Sequence, residues 1–119
     1  MTVSRPTATP SRGKVLIIDD EVDIREGLEL LLTTEGYLAD TAHNGTDGLN
    51  KLASNSYDLV LLDLMMPDKS GMEVLEEFRQ RDRETPVFMI TAWGSVEAAV
   101  KALKLGANDY FSKPWDNEK

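Results

Sequence analysis

Five polar side chains close apolar runs of the sequence. Asp19 and Asp20 follow Val15-Leu16-Ile17-Ile18, and Asp63 follows Leu59-Val60-Leu61-Leu62. Thr91 follows Val87-Phe88-Met89-Ile90, and Lys113 follows the short run Asp109 to Ser112. Carboxylates brought together without compensation repel one another, which raises a pKa or destabilises the site. A hard divalent cation with oxygen ligands relieves that repulsion, and Mg2+ is the cation to expect. The same cation would neutralise an incoming phosphoryl group. Phosphoryl transfer asks the protein for an in-line nucleophile and for electrostatic stabilisation of the equatorial oxygens. The residues divide accordingly. A carboxylate attacks phosphorus to form an acyl phosphate. The cation takes one phosphoryl oxygen, the Lys113 ammonium a second, and the Thr91 hydroxyl with a neighbouring backbone N–H a third. Taken singly, each residue is ordinary: an Asp closing a strand is usually a turn residue, and a lysine is usually solvated. The set of five is hard to produce as turn chemistry.

The elements that must position these residues are legible in the apolar pattern. Residues 1–13 form a flexible tail, rich in Pro, Thr and Ser in the run MTVSRPTATPSR, and structure begins at Lys14. Val15 to Ile18 is continuously apolar, as suits a parallel strand buried on both faces. Asp23 with Glu26 reads as a capping-box start, and Ile24, Leu28, Leu31 and Leu32 recur at helical spacing up to Gly36, a C′ stop. Tyr37 to Ala42 is a short second strand. Asn44 or Thr46 caps a helix carrying Leu49, Leu52 and Ala53, which Ser54-Asn55-Ser56 breaks. Leu59 to Leu62 is the third and central strand, which makes Asp63 the nucleophile to expect. Ser70 with Glu73 is a second capping box, ahead of Met72, Leu75 and Phe78 on one helical face. Val87 to Ile90 is the fourth strand. Gly94 or Ser95 opens a helix with Val96, Ala99, Val100 and Leu103 at i, i+3, i+4 and i+7, stopped by Gly106, and Asp109 to Ser112 is the fifth strand.

Strands alternating with helices imply right-handed crossovers and a parallel sheet covered on both faces. Ligands of such sheets bind beyond the carboxyl ends of the strands, where all five polar residues fall. Only Trp115 to Lys119 follow Lys113-Pro114, so the chain is expected to be truncated before the helix that covers the sheet after the fifth strand. An apolar face left open there favours dimerisation, through the fourth and fifth strand/helix region or by exchange at the truncated end.

Bulk properties narrow the class. The 119 residues, 41% hydrophobic, suffice for one domain and not two. No apolar run approaches the roughly 18 to 20 residues of a bilayer span, and residues 1–13 lack a signal-peptide core. A soluble, cytoplasmic protein with no membrane partner is the expectation. Without cysteines, disulfides and thiolate metal sites are excluded. Thirteen Lys plus Arg against 21 Asp plus Glu give a net charge of −8, the wrong sign for gripping nucleic acid directly.

The runs Ile17-Ile18-Asp19-Asp20-Glu21, Leu61-Leu62-Asp63-Leu64-Met65-Met66-Pro67, Thr91-Ala92 and Lys113-Pro114 closely resemble the receiver domains of two-component response regulators, from about Lys14 to Trp115. The resemblance implies a flavodoxin-like (CheY-like) α/β fold with a five-stranded parallel sheet in the order 2-1-3-4-5. It implies that Asp63 accepts a phosphoryl group from a sensor histidine kinase. It implies Mg2+ held by Asp20, Asp63 and the Met65 backbone carbonyl, with Asp19 helping to hold the hydrated ion. Thr91 and Lys113 would contact the phosphoryl group, and the Lys113-Pro114 bond is expected to be cis. Thr91 and Tyr110 would form the conformational switch, although Tyr110 equally suits a half-buried strand aromatic. Such a domain is a phosphoacceptor and switch, catalysing at most its own phosphorylation and a slow dephosphorylation. The stretch Gly94 to Ala107 looks most like receivers of the nitrogen-regulation-type activators, whose output is transcription by further domains.

Met65 and Trp93 are apolar where a polar side chain would orient a hydrolytic water, so a long-lived phosphoryl group is expected. Trp93 also suits a partner contact. The rival enzyme reading is a haloacid-dehalogenase-like phosphohydrolase. That family has a second Asp two residues after its nucleophile, where this chain has Met65. No G-x-G-x-x-G turn follows the first strand, which excludes a dinucleotide site. His43, the sole histidine, reads as a surface loop residue.

Overall fold

The computed structural model describes residues 12–92 and 95–113. Strands β1 (Lys14–Ile18), β2 (Leu38–Ala42), β3 (Leu59–Asp63), β4 (Val87–Thr91) and β5 (Asp109–Ser112) alternate with helices α1 (Val22–Thr34), α2 (Gly45–Ser54), α3 (Gly71–Arg79) and α4 (Val96–Leu105). All neighbouring strands pair in parallel, in the order β2-β1-β3-β4-β5. This is the expected flavodoxin-like order. Backbone pairing starts ahead of β1: the Arg12 N–H donates to Gly36 O, and the Leu38 N–H to Gly13 O.

Alternation along each strand divides the core in two. Leu16, Ile18, Val60, Leu62, Val87 and Met89 point to the face that α2, α3 and α4 cover with Leu52, Val74, Leu75, Phe78 and Ala102. Val15, Ile17 and Leu61 point to the other, where Leu28 and Leu32 of α1 pack. Phe88 lies on that second face and meets Phe111 of β5 edge to face, at 5.5 Å between ring centroids. Phe111 is 44% exposed. The segment after Lys113, where truncation before a covering helix is expected, the Lys113-Pro114 bond and Trp93 lie outside the described residues.

The helix ends show what local sequence decides. Asn44, not Thr46, caps α2 by accepting the Asp47 N–H at 2.8 Å, and Ser95, not Gly94, caps α4 through the Ala98 N–H. The Ser70–Glu73 capping box closes in both directions. Gly36, at φ +98°, ends α1 in a Schellman motif, with the Tyr37 N–H on Leu32 O and the Gly36 N–H on Thr33 O. The Asp23–Glu26 capping box does not form. The N-cap of α1 is Glu21, which makes no side-chain cap bond, and Asp23 sits inside the first turn. Asp19 is the reason: its Oδ1 accepts the Glu21 N–H at 2.9 Å, so the chain is already turning two residues earlier.

Two apolar stripes meet their surroundings differently from the expectation. Leu31 of α1 is 57% exposed. On α4, Val96, Val100 and Leu103 face outward, while Ala98, Ala102 and Leu105 pack on the core. Both α4 stripes have helical spacing, so periodicity alone cannot choose between them. Fully buried Ala102, lacking a bulky side chain, lets the helix come close to the sheet.

Candidate functional site

The carboxyl ends of β1, β3 and the segment after β5 converge on a cavity of about 230 Å³ lined by Asp20, Glu21, Asp63, Met65, Ala92 and Lys113. Asp63 closes β3 at 2% exposure and Asp19 follows β1 at 0%. Asp20 is exposed. One carboxylate oxygen from each of the three lies within 4.8 Å of the others. Each strand delivers its acid because its apolar run is buried on both faces, so the first polar residue emerges at the sheet edge.

Lys113 reaches this cluster from the far side of the sheet, its side chain 3% exposed. Its Nζ lies 2.7 Å from Glu21 Oε1, 3.1 Å from Asp19 Oδ2 and 3.5 Å from Asp63 Oδ1. Burial alone would lower the ammonium pKa. The Glu21 hydrogen bond, then the Asp19 and Asp63 charges, overturn that and raise it. Burial raises Asp19 above the usual carboxylate value against the Glu21 N–H and Lys113. Asp63 is pushed up to about 7, first by burial and then by the Asp19 charge, with Lys113 opposing. Two buried acids and one buried base thus leave one acid short of compensation. Asp19 Oδ2 is buried without a hydrogen-bond partner among the described residues. Three clustered carboxylates, with Asp63 proton-hungry despite Lys113, fit an oxygen-loving divalent cation.

The residues expected from sequence are mostly brought together. Asp19, Asp20, Asp63 and Lys113 share one site, and the Met65 N–H lies 3.4 Å from Asp63 Oδ1. Thr91 ends β4 fully buried, one residue before the cavity-lining Ala92, and its carbonyl accepts the Lys113 N–H at 2.9 Å. Tyr110 is half-buried against the α2–α4 side of the core, and its hydroxyl is buried without a hydrogen-bond partner among the described residues. His43 lies apart, its side chain 65% exposed and paired with Asp47 at 3.2 Å.

Sequence reading missed three supporting residues. Glu21, seen only as the end of an acidic run, supplies the shortest contact to Lys113. Gly71 opens α3 where a Cβ would stand 2.2 Å from the Asp63 carbonyl oxygen. A glycine directly after an N-cap serine is a poor helix former, and that was the available signal. Asp68 ties the loop after Asp63 to the start of α2: Oδ1 accepts the Gly45 N–H at 3.0 Å, and Oδ2 the Thr46 N–H at 2.9 Å and Thr46 hydroxyl at 2.8 Å. Against a burial penalty, these bonds hold its carboxyl well below the usual range. A larger cleft, about 370 Å³, opens at the opposite edge among Tyr57, Arg81, Asp82 and Thr85, but no acid cluster lines it.

Comparison with known proteins places this geometry. Residues 15–119 match the family described as the response regulator receiver domain. The chain is 47% identical to the uncharacterized transcriptional regulatory protein YkoG of Bacillus subtilis over 107 residues, 90% of this chain and 47% of that protein. It is 45% identical to the response regulator protein PilR of Pseudomonas aeruginosa over 106 residues, 89% of this chain and 24% of that protein. The chain therefore spans about half or less of these relatives. Among solved structures, response regulator protein TrrA of Thermotoga maritima in complex with Mg(2+)-BeF superposes with a TM-score of 0.79 at 37% identity, covering 88% of this chain and 90% of that one.

Proposed function

Since the chain belongs to the response regulator receiver family and is the receiver domain of a two-component response regulator, we propose that Asp63 is its phosphorylation site, charged by a sensor histidine kinase with Mg2+ bound alongside. The observation that carries this is the pairing of two nearly buried opposite charges, Asp63 and Lys113, 3.5 Å apart on an open cavity. A buried pair is a costly arrangement for stability alone.

In this reading an Asp63 carboxylate oxygen forms a bond to phosphorus as the P–N bond of the donor phosphohistidine breaks. The departing imidazole nitrogen keeps the electron pair and takes up a proton. Asp20, Asp63 and the Met65 carbonyl would hold the cation, with Asp19 helping to hold the hydrated ion. A bound Mg2+ supplies charge neutralisation at one phosphoryl oxygen. Lys113 and Thr91 take the remaining oxygens. Thr91 and Tyr110 then form the switch, for which the buried Tyr110 hydroxyl, without a hydrogen-bond partner among the described residues, is the support: a polar group stranded in a core is poised to repack.

The globular unit takes in Arg12 and Gly13, which pair with Gly36 and Leu38, so it starts ahead of the residue 14 expected from sequence. Its output is transcription through a DNA-binding part of a longer cytoplasmic protein, because a domain of net charge −8 repels DNA. Likeness to PilR favours the nitrogen-regulation type of activator, while the comparable likeness to YkoG favours other regulators equally well. The outward stripe of Val96, Val100 and Leu103, with Phe111, supports a homodimer through α4 and β5. Met65, 59% exposed on the cavity and unable to orient a water, supports a phosphoryl lifetime longer than seconds.

Incubation with a small phosphodonor and Mg2+ should add the mass of one phosphoryl group. The addition should vanish in Asp63→Ala and on removing Mg2+. Modification persisting in Asp63→Ala would overturn the assignment.

A further inference from the structure

Lys113 has three carboxylates within reach and does not treat them alike. Its ammonium donates a hydrogen bond to Glu21 Oε1 at 2.7 Å, its shortest contact, while Asp19 Oδ2 stands at 3.1 Å and Asp63 Oδ1 at 3.5 Å. Glu21, the outermost of the three acids, is therefore its nearest partner. Glu21 is also the least constrained of the three acids. Its side chain is 58% exposed, against 0% for Asp19 and 3% for Asp63, and it gives α1 no cap bond although it occupies the N-cap. Arg25, the neighbouring cation, donates instead to the Asp19 carbonyl at 2.8 Å, and no Arg25–Glu21 ion pair is found among the described residues. Glu21 lines the same cavity as Asp63. A phosphoryl group arriving on Asp63 needs Lys113 and meets the Glu21 charge in the way.

We propose that Glu21 is a positioning residue, a latch that holds the Lys113 ammonium towards the cavity mouth until phosphoryl transfer draws it inward. The latch rests on the assignment of Asp63 as phosphoacceptor and deepens it. Phosphorylation then requires one half-exposed ion pair to break, and Glu21 swings into solvent, where its charge is screened. Glu21 sets how fast the site is charged, not whether it is charged.

The test compares the 119-residue chain with E21Q and E21D at saturating Mg2+, following phosphoryl incorporation from acetyl phosphate by intact mass. E21Q keeps the shape and loses the charge; E21D keeps the charge and loses one methylene of reach. Both variants should incorporate phosphate about two- to five-fold faster than wild type, the size expected for freeing one partner of a half-exposed pair. The wild-type rate should approach theirs in high salt, which a purely structural role for Glu21 would not produce. Thermal unfolding in Mg2+ confirms that each variant is folded. E21D at the wild-type rate beside a fast E21Q means that cavity charge rather than the bond to Lys113 is responsible, and overturns the latch. Equal rates in all three proteins overturn it too. Absence of phosphorylation in every one, wild type included, overturns the Asp63 assignment instead.

Discussion

The two edges of the sheet both bury charge, and they bury it in opposite ways. At the amino-terminal edge Arg79 is 8% exposed and bonded through all three guanidinium nitrogens. Its Nε donates to Gly106 O, Nη1 to Asp82 O and Nη2 to Asn108 Oδ1, each at 3.0 Å, and Asn108 Oδ1 also accepts the Val87 N–H. One guanidinium thereby ties the end of α3 to the α4–β5 connection and to the start of β4. At the carboxyl-terminal edge Asp19 and Asp63 are buried as deeply, yet both share one ammonium, and Asp63 is pushed up to about 7 by burial and the Asp19 charge. A buried charge hydrogen-bonded through each of its nitrogens is a lock. One left short of partners is a site waiting for a ligand.

This contrast can be broken by mutation. Asp63→Asn should abolish phosphoryl incorporation entirely and, by removing a repelled charge, raise the metal-free unfolding midpoint at neutral pH. Lower stability in that variant would mean the acidic edge is not strained. Arg79→Met should do the reverse. It strands several acceptors and should cost about 2 to 4 kcal/mol in denaturant unfolding, while the folded fraction still takes up phosphate at Asp63. Gly71→Ala joins the two effects, because a Cβ 2.2 Å from the Asp63 carbonyl must push α3 away from the acceptor strand. Both unfolding midpoint and Mg2+ affinity by calorimetry should fall.

Titration sharpens the same comparison. Asp63 is raised from 3.8 to about 7, so the folded state holds a proton that the unfolded state has released. Metal-free stability should therefore be fullest below about pH 4 for this group and decline as pH rises through about 7, with Mg2+ cancelling the decline. Asp82, at the opposite edge, is lowered by the Thr85 N–H and hydroxyl. Its contribution is present above the usual carboxylate pKa and is lost as pH falls through its lower folded value. Denaturant midpoints across pH, with and without Mg2+, separate the two edges; a metal-free midpoint that rises between pH 4 and 7 contradicts the Asp63 assignment. The smallest effect expected is for Asp68→Ala, about 1 kcal/mol for a lost helix-start acceptor, read as a modest fall in midpoint.

What the sequence determined by itself was everything carried by short-range pattern. Short apolar runs such as Val15 to Ile18 and Leu59 to Leu62, alternating with helical patterns, suit buried parallel strands whose ends meet at one edge of a sheet, and the Ser70–Glu73 spacing suits a helix start. Where two local readings competed, the sequence was silent. The Asp23–Glu26 spacing suggested a cap that Asp19 preempts, and α4 carries two helical stripes that periodicity cannot rank. The tertiary structure alone decided the rotation of α4, the Arg79 lock across 27 positions, and the bond between Glu21 and Lys113 across 92. Such pairs follow from how the packed elements align, and no periodicity within one segment encodes the distance to another.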